Sequence, residues 1–137
     1  MLIIMAVLGT LATIGLFLYS DMTEQAKIAR AVADIAIMCG EIDTFEIMNE
    51  RLPNDLGEIK RASLVDPWGH PYVYLNFATT PPGQWRKDLN LVPLNSSFDL
   101  YSLGKDGLSQ PPLTAAASRD DIVRASDGNF IGLASRY

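Results

Sequence analysis

The sequence predicts an α+β fold in which one long N-terminal α-helix packs on a small antiparallel β-sheet head with long loops. Three observations lead there. Residues 1–20 carry no charge, an apolar stripe at helical spacing then continues without a Pro or turn cluster, and turn-bounded segments rich in aromatic and β-branched residues follow.

The stretch MLIIMAVLGTLATIGLFLYS is apolar or small throughout. About 20 residues at a rise of 1.5 Å each cross roughly 30 Å of hydrocarbon, so residues 1–20 are expected to span a membrane or fill a filament core. A secretory signal would need a basic n-region and a small-residue cleavage site, and neither flank is convincing. Gly9, Thr10, Ala12, Thr13 and Gly15 interrupt the large residues and let neighbouring helices approach closely, which favours bundling over a lone anchor.

From Asp21 the same helix turns amphipathic. Ile28, Val32, Ile35, Cys39, Ile42 and Phe45 fall at steps of three and four, while Glu24, Lys27, Arg30, Asp34 and Glu41 lie largely off that stripe. The helix is expected to reach about Asn49 before Pro53 stops it, a length of roughly 70 Å. The chain thus divides into an apolar half-helix at 1–20, an amphipathic half-helix at 21–50 and a head at 51–137.

In the head, Leu52 to Ile59 reads as a turn into a short helix capped by Asn54 or Asp55. The turn-rich Asp66–Pro71 segment feeds a strand at Tyr72–Phe77, paired with Phe98–Leu103; a third strand is expected at Phe130–Ala134. The loop Ala78–Ser97 holds Pro81, Pro82, Gly83 and Pro93, and its length points to a role, with subunit contact the expectation.

Composition excludes several functions. The 137 residues leave no room for a second catalytic domain. A net charge of −5 with scattered basic residues argues against a nucleic-acid partner. Cys39 is the only cysteine, so neither an intrachain disulfide nor a thiolate zinc cage can form; on the apolar stripe it behaves as a small hydrophobe. His70 is the sole histidine and sits in a Pro-Trp-Gly-His-Pro turn with no nucleophile motif, which favours a structural turn residue. Trp68, Tyr72, Tyr74, Phe77, Trp85, Phe98 and Tyr101 have the spacing of core and contact residues, with Trp85 in the long loop the least explained.

Asp106-Gly107 and Asp120-Asp121 are the best site candidates. Three carboxylates on loops can furnish oxygen ligands for calcium, backbone carbonyls completing the shell. Taken bare, Asp-Gly is also a turn signal and Asp-Asp a solvated pair or cap. Lys105 and Arg119 stand beside these carboxylates, close enough to weaken such a site.

Several of these segments together carry a resemblance. In the helix they are Ala6-Val7-Leu8-Gly9-Thr10-Leu11-Ala12, Ala29-Arg30-Ala31-Val32-Ala33-Asp34-Ile35 and the exit Arg51-Leu52-Pro53. In the head they are Asp66-Pro67-Trp68-Gly69, Pro71-Tyr72-Val73-Tyr74, the run Phe98 to Gly107, and Asp120-Asp121-Ile122. In that order they resemble the major pseudopilin of type II secretion, a type IV pilin-like family.

The resemblance implies a structural subunit, not an enzyme. It implies an inner-membrane single-pass prepilin with a periplasmic head, trimmed by a dedicated peptidase, methylated, and stacked through its N-terminal helix into a homopolymeric fibre. Minor pseudopilins and an inner-membrane assembly platform are the implied partners. It also assigns structural Ca2+ to Asp106, Asp120, Asp121 and the backbone carbonyl of Leu103. A surface type IV pilus subunit serving adhesion, DNA uptake or motility is the alternative, and a membrane-anchored periplasmic enzyme dependent on His70 the remote one.

Two departures accompany it. Aligning Gly9 with the family's helix glycine leaves no Phe-Thr-Leu-Ile-Glu block, so either that block is encoded upstream of Met1 or assembly differs. Phe17 stands where many relatives carry a helix-loosening proline, so an unbroken helix is expected.

Overall fold

The computed structural model describes residues 2–89 and 91–137, leaving aside the side chains of residues 2, 11, 12 and 14–18. The first element, α1, is one unbroken helix over Leu2–Asn49. It ends as expected: Glu50 takes a left-handed conformation (φ 56°), its N–H closes on the Glu46 carbonyl at 2.8 Å, and Pro53 follows. Among the described residues no helix is long and apolar enough to cross a membrane. Much of the expected span at 1–20 falls on Met1 and on side chains outside the described residues.

The head adds six strands: β1 (Val73–Asn76), β2 (Lys87–Asp88), β3 (Val92–Pro93), β4 (Phe98–Ser102), β5 (Ile122–Ala125) and β6 (Phe130–Leu133). The main sheet is antiparallel in the order β1-β4-β5-β6, and β2 and β3 form a small hairpin of their own. The three expected strands are therefore present with trimmed ends. A fourth, β5, lies between two of them, and its run Ile-Val-Arg-Ala is buried at all four positions, so it carries no two-residue alternation to read. The expected short helix after Pro53 is a series of turns instead: Asp55 Oδ1 accepts the Gly57 N–H at 2.7 Å and the Glu58 N–H at 3.3 Å, closing an Asx-type turn with no helix beyond it.

Two apolar layers flank the sheet. On one side Ala31, Ile35, Met38 and Ile42 of α1, each with no exposed surface, meet Leu56, Tyr72, Phe98, Leu100 and Ile122. Ile35 and Ile42 of the expected stripe lie at its centre, Ala31 and Met38 join them, and Ile28, Val32 and Cys39 pack at its margins. On the other side Leu94, Tyr101, Leu113, Val123, Ala125 and Ala134 form a second cluster beneath the loops. Helix, sheet and loop layer are stacked in that order.

Polar residues on α1 hold the head in register. Trp68 Nε1 donates to Glu24 at 3.0 Å, Tyr72 Oη donates to Asp34 at 2.9 Å, and Arg61 grips Glu41 with both arms of its fork. The three acceptors lie off the apolar stripe, so the charges that mark the helix as amphipathic also bind the head to it. Burial and the Asp34 hydrogen bond push the Tyr72 hydroxyl well above its ordinary pKa, keeping it a donor.

Candidate functional site

Strand alternation builds the site. In β4, Phe98 and Leu100 face the helix, so Asp99 and Tyr101 face the loops. In β5, Val123 and Ala125 face the loops, and Asp121, just ahead of the strand, shares their side. Two fully buried carboxylates, Asp99 and Asp121, thus sit under the loop layer. Buried charge is costly unless it is paired and hydrogen-bonded.

The partner comes from the long loop. Arg86, 1% exposed, donates from Nη2 to Asp121 Oδ2 at 2.6 Å and from Nη1 to the Gln110 carbonyl at 2.5 Å and the Ser109 hydroxyl. Its backbone N–H donates to Asp99 Oδ2 at 2.6 Å, and its guanidinium lies 4.5 Å over the Tyr101 ring. Asn95 Nδ2 donates to the other Asp99 oxygen at 2.8 Å, and Ser109 Oγ donates to Asp121 Oδ2 at 2.6 Å. Among the described residues, Arg86 Nε and Asp121 Oδ1 have no hydrogen-bond partner. Burial pushes the Asp121 carboxyl up to about 6, with Ser109 and Arg86 pulling the other way. The same burial raises Asp99 despite its donors.

The backbone follows the arginine. The Lys87 N–H donates to the Pro111 carbonyl at 2.8 Å and the Leu113 N–H to the Lys87 carbonyl at 3.0 Å, so β2 runs alongside residues 111–113. The loop 78–97 and the loop after β4 are therefore one packed layer. Trp85, unexplained in the sequence, stacks on Phe77 with centroids 4.1 Å apart and donates to the Thr80 carbonyl at 2.9 Å, folding the first half of the loop back on β1.

The expected calcium ligands divide into two groups. Asp120 and Asp106 are neighbours: Asp120 Oδ2 accepts the Asp106 N–H at 3.0 Å, and Asp106 Oδ1 accepts the Leu108 N–H at 2.8 Å. Gly104 makes this approach possible, since at φ +64° a Cβ there would stand 2.4 Å from the Asp120 carbonyl oxygen. Leu103 follows β4 with its side chain packed against the second cluster. Asp121, by contrast, turns inward onto Arg86. Among the described residues no three His, Cys, Asp or Glu side chains are grouped to hold a metal ion. Lys105 and Arg119, the expected neighbouring cations, are exposed, and the cation that reaches the carboxylates comes from elsewhere in the chain.

His70 and Asp66 stand in the expected turn, and the structure gives that turn a second tie. Asp66 is buried, accepting the N–H groups of Trp68 (3.0 Å) and His70 (2.8 Å) on Oδ1 and the Ser102 hydroxyl (2.6 Å) on Oδ2. His70 Nδ1 lies 3.1 Å from the Gly104 carbonyl, tying the turn to the loop after β4. Arg86 and Asp99 escaped the sequence reading, although a carboxylate inside the otherwise uncharged strand Phe-Asp-Leu-Tyr-Ser was a usable signal: such a group demands a partner.

Residues 19–118 match the family described as Type II secretion system (T2SS), protein G. The Type II secretion system core protein G of Pseudomonas aeruginosa is 28% identical over 128 aligned positions, covering 77% of this chain and 79% of that protein. The protein of the same name from Aeromonas hydrophila is 27% identical over 143 positions, covering 88% and 84%. No solved structure gives a significant match. The family match takes in the amphipathic half of α1, the Asp66 turn, strands β1 to β4, the 78–97 loop that carries Arg86 and the part of the loop after β4 that carries Ser109. The chain therefore belongs to the type II secretion system protein G family.

Proposed function

We propose that the chain is the structural subunit of a type II secretion pseudopilus, polymerising through its N-terminal helix into a helical fibre that drives protein export. The observation that carries this reading is the one-sided use of α1. Ala31, Ile35, Met38 and Ile42 are sealed by the head, whereas Ile3, Ile4, Met5, Val7 and Leu8 are 51–79% exposed on a part of the helix that the head does not cover. An apolar surface of that extent calls for another environment, and neighbouring copies of the same helix supply one.

Before assembly that environment is the inner membrane, with residues 1–20 as a single pass and the head in the periplasm. Minor pseudopilins and an assembly platform are the partners that fibre growth requires. The β2–β3 hairpin, with Leu89, Leu91 and Val92 exposed, is the head's own contribution to contacts between successive copies.

The test is Leu8→Glu in cells that depend on this chain for secretion. Fibres in sheared or overproducing cells and secreted enzyme in the medium are both expected to vanish, while the variant protein keeps the wild-type melting midpoint of its head. Wild-type levels of fibre and secretion would overturn the reading.

A further inference from the structure

We infer that Arg86 is the internal cation of this head: its guanidinium, and not a bound metal ion, holds the 104–121 loop closed on Asp121. The contacts are those a loop-closing cation would make. One group reaches a carboxylate (Asp121), a hydroxyl (Ser109) and a backbone carbonyl (Gln110) within that loop, and its own N–H anchors to Asp99 on β4. The planar fork suits several oxygens at fixed angles, and arginine stays charged at any working pH.

The guanidinium charge then opposes a second cation at Asp121. A divalent ion on Asp121 would stand against a guanidinium that cannot give up its proton. Arg86 cannot swing aside cheaply, because it is 1% exposed, stacked on Tyr101, and continuous with the β2 backbone paired to residues 111–113. Asp106 and Asp120 remain as a pair, with one oxygen of each already accepting a backbone N–H, at 2.8 and 3.0 Å. Two carboxylates occupied in this way fall short of the six to eight oxygens that calcium takes.

The test melts the full-length chain in detergent with excess calcium chloride and with excess chelator, and assays the purified protein for bound calcium. The two midpoints are expected to agree within about 1 °C, with calcium far below one per chain. Asp106→Asn with Asp120→Asn, which keeps both acceptor oxygens, is expected to leave the midpoint in place. Arg86→Met is expected to lower it by roughly 5–10 °C or more, and Arg86→Lys, charged but unforked, by less. A rise of several degrees with calcium in the unaltered protein, abolished by the Asp106→Asn and Asp120→Asn pair, would overturn the inference. So would an Arg86→Met protein that melts at the wild-type temperature. If Arg86→Met fails to fold, the calcium and double-asparagine arms still decide.

Discussion

Glu58 shows how much an exposed turn depends on one carboxylate. It takes both arms of Arg51, at 2.9 and 3.0 Å, and also the Asn54 N–H at 2.7 Å, so it closes the chain's exit from α1. The Arg51 hydrogen bonds, then the Asn54 N–H, lower its pKa to about 2. A folded-state pKa below the unfolded one gives stability that is present above about 4.5 and lost as the pH falls toward 2. Glu58→Gln should therefore unfold at a lower urea concentration than the parent at pH 7, and the gap should narrow below about pH 4.5 and close only near pH 2 or below. Equal midpoints at pH 7, or a gap that persists in acid, would show that the carboxylate charge is not what closes this turn. At this scale the sequence was legible where a residue acts on its near neighbours, as Asp55 does on Gly57 and Glu58, and opaque where the partner is remote. Asp121 and Arg86 stand 35 positions apart, and only the folded sheet brings them to 2.6 Å.

At the scale of elements, α1 was readable because an uncharged run passes without a break into an apolar stripe, and Ile35 and Ile42 of that stripe are fully buried, yet Ala31 and Met38 were not seen as part of it. Ala31 and Met38 stand one residue before Val32 and Cys39, and nothing local says which of each pair faces inward; the sheet buries the first and leaves the second at the margin. The distinction has a measurable consequence. Ile35 has no exposed surface and Ile37, two residues on, is 54% exposed. Ile35→Ala should cost about 2–5 kcal/mol in urea unfolding, as expected when a fully buried aliphatic chain leaves a cavity. Ile37→Ala should lie within about 0.5 kcal/mol of the parent, since the carbons it removes lie on the surface and leave no cavity in the core. Equal losses would mean that the helix sits rotated on the sheet. Strand β5 teaches the complementary lesson: buried on both faces, with Arg124 inside it lying 3.9 Å over the Phe98 ring, it lacks the aromatic residues that marked β1 and β4.

At the scale of the whole molecule, the order of helix, sheet and loop layer raises the question whether the two apolar clusters fold as one unit. They share a single sheet: each strand of the β4–β5 pair sends alternate residues into both, and Asp121 links β5 to the loop layer through Arg86. Two tryptophans report on the two sides. Trp68 touches α1 through Glu24, and Trp85 stacks on Phe77 within the long loop. In Trp85→Phe the remaining fluorescence follows the helix side, and in Trp68→Phe it follows the loop side. A sheet that transmits every loss of packing across its thickness makes the transition all-or-none for a domain of this size. Within each variant, the fluorescence midpoint in urea should then coincide with the midpoint at which the Tyr101 and Tyr72 near-ultraviolet signals collapse. A loop-side midpoint that falls clearly below the helix-side one would show that the layer held by Arg86 opens on its own, and the 78–97 loop would then act as a separable cover on a helix-and-sheet core.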